Sequence, residues 1–403
     1  MHGKVAKSAY RMLGLYDAVG FLCRRCFRTD WRKVVFSSFW GRGFADNPKY
    51  VALELLRRRL DLDLVWLAGD QSAVRGQLPD GIRVGPYRGW GGIRESATAA
   101  VRVDNQLINL HTLGYAKRSD QLYVQTWHGS LGIKRIGFDF AEGTADHDRR
   151  FENRRLDGAM VDALISNSSF ESEIYRAQWF GGGRICEFGH PRNDILVNGI
   201  SSDVAADIRG RLGVSTKERI LLYAPTFRDD DPKFDYSFDY GAVLSAVSRK
   251  FGGTWRMAVR KHPRMSSAML GVLPGSDVVD ASSYPDMQEL LAVADALVTD
   301  YSSCMFDFML TGRPVFVLAK DLEKYETARG FYYPFSETPF SIARDAAGLA
   351  ENVAAFDEGS YGERREEFLK RRGCVEDGHA SERVADMIID FIDKGRKSAR
   401  GGC

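Results

Sequence analysis

The chain has 403 residues, more than one typical domain, and its 44% hydrophobic and 12% aromatic content is ample for packed cores. Its 56 basic against 54 acidic residues give a net charge of +2, which argues against a protein whose whole surface binds nucleic acid. No run of about 20 apolar residues occurs, so no transmembrane helix is expected, and the six cysteines suggest no disulfide framework.

Residues 1–30 combine Lys4, Lys7, Arg11, Arg24, Arg25 and Arg28 with Tyr10, Met12, Leu13, Leu15, Tyr16, Phe21 and Leu22. A basic amphipathic segment of this kind can lie on an anionic membrane surface or pack on its own domain. It lacks the apolar core and cleavage site of a secretory signal. Cys23-Arg24-Arg25-Cys26 is a single CxxC, a poor zinc site. The arginines would lower the thiol pKa and so favour redox chemistry, but two reduced cysteines on a helix are the simpler explanation of the motif. Short apolar runs then alternate with helical patterns. Strands are expected at Val34–Phe36, Leu64–Leu67, Tyr123–Gln125, Ala163–Ile165 and Ile185–Phe188, then at Ile220–Ala224, Trp255–Val259, Ala296–Val298 and Pro314–Leu318. Helices are expected at Tyr50–Leu60, Ser169–Trp179 and Met287–Ala294. Such alternation implies an α/β protein with parallel sheets covered on both faces. The loop-like stretch Asn198–Asp203 suggests a boundary, giving an N-terminal Rossmann-like domain over 31–200 and a C-terminal one over 201–375. A helix over 376–393 and a basic, disordered tail over 394–403 complete the expected organisation.

The polar motifs mostly follow predicted strand ends, the side where ligands bind in doubly wound folds. Asp300-Tyr301-Ser302-Ser303 follows the run ending at Thr299 and precedes Cys304–Leu310, which reads as strand, turn and helix. The two serines suit a helix cap, and equally a phosphate held by hydroxyls and backbone N–H groups. His128, in Thr126-Trp127-His128-Gly129, carries an imidazole whose ordinary pKa suits a general base. His262, preceded by Arg260-Lys261, lies among cations that could hold an anion. Arg228, after Thr226-Phe227, could add a bidentate phosphate contact. Each motif also has a simpler explanation, as a capped helix, a hydrogen-bonded histidine or a solvated basic turn. Asp229-Asp230-Asp231 reads as a solvated loop, and no metal is required by the constellation.

Taken in order, Thr126–Gly129, Gly137–Asp139, Ser166–Ser168, Gly189–Asp194, Tyr223–Arg228, Lys261–Pro263 and Thr299–Ser303 strongly resemble the CDP-glycerol glycerophosphotransferase family. With Phe36–Phe39, Asp46–Pro48, Asp307-Phe308, Arg313-Pro314, Gly330–Tyr332 and Gly378–Val384, the likeness covers roughly residues 31–390. The resemblance implies a GT-B fold, two Rossmann-type domains facing a central cleft. It implies transfer of glycerol phosphate, or a related polyol phosphate, from a CDP-linked donor to a hydroxyl of a teichoic-acid-like or capsular polymer, with release of CMP. No further cofactor is implied. His128 matches the family's acceptor-side histidine and His262 its donor-side one, as the catalytic pair. Donor contacts then fall to Thr226, Arg228, Lys261, Asp286, Gln288, Thr299, Asp300, Ser302 and Ser303. Asn47, Trp127, Gly129, Asp139, Arg192 and Asp194 form the acceptor side. The implied partners are the donor and a lipid-linked or oligomeric acceptor, at the inner face of a bacterial membrane that residues 1–30 would contact. Ser130-Leu131-Gly132-Ile133 departs from the family's Thr-Pro-Leu-type turn, and His190 stands where an aromatic residue is common. A nucleotide-sugar glycosyltransferase of the same fold, and an inactive GT-B module that binds a glycopolymer, are the competing readings.

Overall fold

Parallel strands built from continuous apolar runs need cover on both faces, and this chain supplies it twice. The computed structural model describes residues 26–58, 61–107, 117–136, 155, 157–178, 182–228, 231, 233–262, 265 and 277–401. The first sheet contains β1 (Asp30–Ser37), β2 (Asp63–Ala68), β3 (Ile82–Pro86), β4 (Ala99–Asp104), β5 (Leu122–Gln125), β6 (Ala163–Ser166) and β7 (Arg184–Glu187). All its pairs are parallel, in the order β3-β2-β1-β4-β5-β6-β7. The second contains β8 (Arg219–Ala224), β9 (Trp255–Val259), β10 (Val278–Asp280), β11 (Ala296–Thr299), β12 (Val315–Leu318) and β13 (Ser341–Ala343). It is also wholly parallel, in the order β10-β9-β8-β11-β12-β13. Both are doubly wound, with the order reversing between β1 and β4 and again between β8 and β11, so each has a switch point where loops diverge and a ligand can enter.

All nine strands expected from sequence are present. Four were not expected: β3 and β4 in the first sheet, β10 and β13 at the edges of the second. The chain crosses from the first sheet to the second through a short helical stretch, Pro191–Val197, and the helix Ser202–Leu212. Ser201 caps that helix through its side chain, and Gly213, at φ 69°, ends it in the left-handed conformation.

The last helix, Ala380–Gly401, corrects the expectation of a disordered tail after residue 393. Its buried face, Val384, Ala385, Ile388 and Ile392, joins the first domain's core with Val34, Val51, Leu55 and Val101. The chain thus returns to the first domain. The helix persists because Gly395 lets Trp31 lie against it, since a Cβ there would fall 1.9 Å from the indole. Arg396 then pairs with Asp61 at 2.9 Å. Residues 1–25, Asp139 and residues 402–403 lie outside the described residues. Among the described residues no helix is long and apolar enough to cross a membrane.

Candidate active site

His128 stands just past β5, beside the end of β4. Its Nδ1 lies 2.9 Å from the carbonyl oxygen of Asn105. A carbonyl can only accept, so Nδ1 carries the proton and Nε2 keeps its lone pair. Nε2 lies 3.5 Å from the Gln106 side-chain nitrogen. The ring packs against Trp127 (centroids 4.3 Å apart) and the edge of Phe39 (5.8 Å). Burial pulls the imidazole below its ordinary pKa; the Asn105 carbonyl and Asp46 oppose that shift, while Arg192 and Lys134 add to it. The ring is therefore neutral near pH 7, with Nε2 as a base.

The loop that presents it is strained. Trp127 and Leu131, both bulky, have φ of 52° and 39°, a region that such side chains rarely occupy. Several acceptor-side candidates hold this strain in place. Asn47 donates to the carbonyls of Thr126 (3.3 Å) and Trp127 (3.0 Å) and accepts from the Arg192 amide (3.0 Å). Arg192 is buried; it donates to the Gly129 carbonyl at 2.8 Å and pairs with Asp46 and Asp307 at 3.1 Å each. Asp307 belongs to the second domain, so this arginine ties the His128 loop to the far sheet. Asp194 accepts from the amides of Ala380 (2.9 Å) and Ser381 (2.8 Å), capping the last helix. Asn47, Arg192 and Asp194 thus sit in supporting networks, not on an open acceptor surface. Trp127 is buried beside them.

On the donor side, Asp300 accepts from the Thr226 amide at 2.8 and 3.1 Å and from the Tyr301 amide at 2.6 Å. Thr299 donates to the Ala224 carbonyl at 2.7 Å. These bonds lock the loop after β8 to the loop after β11. Arg228 departs most from expectation. Nε and Nη2 bond Asp321 (2.8 and 3.0 Å), while Nη1 bonds Asp300 (2.8 Å) and the Thr226 carbonyl. Four of its five N–H donors are engaged. Its guanidinium also lies 4.8 Å from the Tyr301 ring centroid and 4.9 Å from that of Tyr325. A guanidinium so enclosed has no bidentate face for a phosphate. Asp286 and Gln288 are likewise taken up. Asp286 caps the helix Met287–Val293 and bonds Lys49 and Tyr50 of the first domain; Gln288 donates to Asp307 at 2.9 Å. Both are buried because they join the two domains.

His262, past β9, stacks on Phe227 (5.6 Å, 22° between planes). Lys261 pairs with Asp280 at 3.1 Å. Ser302 and Ser303 are half-buried at the turn after β11. The helix they precede, Cys304–Phe308, is one turn long, and Ser303 stands at its N-cap position without a side-chain capping bond. The Ser303 hydroxyl makes no hydrogen bond among the described residues, so the helix-cap explanation of that serine does not hold. No group of three or more His, Cys, Asp or Glu side chains among the described residues could hold a metal ion.

One half-buried cation was missed from sequence: Lys134, six positions after His128 and directly after the segment that departs from the family's usual turn. Arg260, which sequence placed among the cations about His262, directly follows β9.

The family model for CDP-glycerol:poly(glycerophosphate) glycerophosphotransferase matches residues 21–390. The chain is 32% identical over 89% of its length to a teichoic acid poly(glycerol phosphate) polymerase of Staphylococcus epidermidis, and spans 50% of that protein. It is 30% identical over 88% of its length to a teichoic acid glycerol-phosphate transferase of Staphylococcus aureus, spanning 92% of it. A solved structure of the wall teichoic acid polymerase TagF, soaked with CDPG, superposes with a TM-score of 0.78 at 28% identity, covering 91% of this chain and 90% of that one. The two-domain arrangement is therefore GT-B-like.

Proposed function

This chain belongs to the CDP-glycerol:poly(glycerophosphate) glycerophosphotransferase family, and on that premise we propose that it transfers glycerol phosphate from CDP-glycerol to a hydroxyl of a teichoic-acid-like polymer. The acceptor oxygen attacks the phosphorus that bears glycerol. The bond from that phosphorus to the bridging oxygen breaks, CMP leaves with the electron pair, and a phosphodiester results. The acceptor's proton passes to Nε2 of His128.

The observation that carries this reading is the state of His128. It is neutral, its tautomer is fixed by the Asn105 carbonyl, and it is presented at a strand end by a loop held in strain. A base poised in this way needs no reorganisation when the hydroxyl arrives. His262, stacked on Phe227, is the group that steadies the donor phosphate or the leaving CMP. Ser302 and Ser303, half-buried at the turn after β11, add hydroxyl donors for the donor phosphates. Asn47, Arg192, Arg228, Asp286, Asp300 and Thr299 are positioning residues that act through the loops they hold.

CMP release from CDP-glycerol, measured with and without an oligo(glycerol phosphate) acceptor, tests the reading. Release that requires acceptor and vanishes in His128→Ala, with CDP-glycerol affinity kept within about threefold, is the expected result. Equal loss of donor affinity would remove His128 from the base role. The acceptor reaches the enzyme at a membrane surface through residues 1–30, whose basic and aromatic residues suit anionic lipid. Truncation of those residues should abolish flotation with anionic vesicles, and unchanged flotation would refute the contact.

A further inference from the structure

We propose that Trp40 and Arg42 form an acceptor subsite beside His128, in which the guanidinium takes a phosphodiester of the growing chain and the indole covers the polyol carbons next to it. The inference deepens the reading above, on which the acceptor is a poly(glycerol phosphate), and rests on it.

The sheet brings these residues to one edge. Ser37, Asp104 and Gln125 stand in register across β1, β4 and β5. The strands are parallel, so the loops that leave this row open on the same side, at the switch point between β1 and β4. Trp40 and His128 each stand three positions beyond the row. Three successive residues after β4 join them. The Asn105 carbonyl holds Nδ1 of His128 at 2.9 Å, the Gln106 side chain lies 3.5 Å from Nε2, and the Leu107 carbonyl accepts from the Trp40 indole nitrogen at 2.9 Å. The Asn105 side chain also accepts from the Phe39 amide at 2.9 Å, and the Phe39 ring sets its edge against the His128 ring. The base and the indole are thus carried by the same segment.

The loop after β1 is bent at a cost to present this pair. Phe39 and Trp40 have φ of 47° and 59°, a region that bulky side chains rarely occupy. The backbone on either side is fixed. The Ser38 carbonyl accepts from the amides of Gly41 and Arg42 at 2.9 Å each, and the Gly69 amide donates to the Gly41 carbonyl at 2.9 Å. A Cβ on Gly41 would fall 2.8 Å from that Gly69 nitrogen. The Trp66 indole donates to the Gly43 carbonyl at 3.0 Å. Held in this way, Trp40 remains 37% exposed. Of the four large hydrophobic side chains exposed among the described residues, it is the one that stands in a loop; the others are on helices. Packing does not account for a strained backbone that keeps an indole in water, whereas a ligand laid on its face does.

The charge beside it fits a polyanion. Arg42 is exposed, and its guanidinium lies 5.9 Å from the Trp40 ring centroid. It makes no hydrogen bond or ion pair among the described residues. Asp46, the carboxylate of the same loop, is committed to Arg192 at 3.1 Å. A free guanidinium over an aromatic face matches a chain that alternates phosphodiesters with short polyols, and its place beside the base puts it on the acceptor's side of the reaction.

The test compares wild type with Arg42→Gln, Arg42→Lys and Trp40→Gly. It measures kcat and KM for CMP release against oligo(glycerol phosphate), calorimetric affinity for that oligomer and for CDP-glycerol, and Tm. Arg42→Gln should weaken oligomer binding and raise its KM roughly tenfold, and Trp40→Gly about fivefold. CDP-glycerol affinity should stay within twofold of wild type and kcat within threefold. Arg42→Lys should recover part of the loss, since the charge survives without the fork. Trp40→Gly relieves a positive φ, so its Tm should hold or rise, which a residue needed for packing would not show. Oligomer affinity within twofold of wild type in both Arg42→Gln and Trp40→Gly would overturn the subsite, as would an equal loss of CDP-glycerol affinity or a Tm loss that accounts for the effect. If wild type binds the oligomer and the variants weaken it, yet CDP-glycerol yields no CMP, the subsite stands and the donor reading falls. If wild type does not bind the oligomer, the subsite falls, and acceptor-dependent CMP release with another acceptor would leave the donor reading in place.

Discussion

Arg228→Ala distinguishes a scaffold arginine from a substrate arginine. The substitution leaves Asp300 and Asp321 without their shared cation, with Arg228 and Asp300 both buried. Breaking a buried pair costs about 3–5 kcal/mol, because a carboxylate is left unpaired in a poorly solvated site. Loss of the cation over Tyr301 and Tyr325 adds roughly 1 kcal/mol. At about 2–4 °C per kcal/mol for a domain of this size, Tm should fall by roughly 10–20 °C. Arg228→Lys keeps the charge but not the fork that spans two carboxylates, so it should lie between alanine and wild type. Thermal melts followed by circular dichroism measure the stability loss. Calorimetry with CDP-glycerol, run well below the lowered Tm, measures what survives in the folded fraction. There the donor affinity should remain within about threefold of wild type. A Tm within about 3 °C of wild type, together with donor affinity weakened tenfold or more, would refute the scaffold role and return Arg228 to the phosphate.

Burial holds the His128 imidazole below 6.5, so it serves as a base above that lowered value and is lost as pH falls through it. The acidic limb of acceptor-dependent kcat/KM should therefore have its midpoint below pH 6.5, and a midpoint at or above 7 would contradict the assignment. Lys49→Met should destabilise the protein by about 3–5 kcal/mol in urea titration, because Asp286 loses its cation across the domain junction; a cost below about 1 kcal/mol would show that the junction does not depend on this pair. Burial pushes the Glu376 carboxyl up to about 7, above its ordinary 4.5, against the pull of His190 and the bonds from Asn193 and Asn167. Its stabilising contribution is thus fully present below pH 4.5 and lost as pH rises to about 7, a swing of roughly 3 kcal/mol. Glu376→Gln should flatten that part of the stability profile, and parallel profiles for the two proteins would refute the shift.

The sequence made the strands legible where a buried parallel strand is a continuous apolar run, as in Val34–Phe36 or Ile220–Ala224. It hid β4 because that strand carries Arg102 and Asp104, which read as surface residues. In the fold they neutralise each other at 2.7 Å inside the first domain. It hid β10 and β13 because three residues carry no period. The motif histidines drew notice in the sequence because they stand in ordered motifs past strand ends, and the structure places His128 past β5 and His262 past β9. The cations could not be sorted the same way. Arg228 and Arg260 both follow a strand of the second sheet within a few residues, and nothing local separates them. Arg228 is enclosed by Asp300 and Asp321, 72 and 93 positions away. Asp286, the carboxylate whose charge acts on Arg260, is paired with Lys49 from the other domain. Which arginine supports the loops is thus decided by long-range pairing. By pairing with Arg228, Arg192 and Lys49, the carboxylates of this site determine which positive charges are spent on holding the loops and the domain junction.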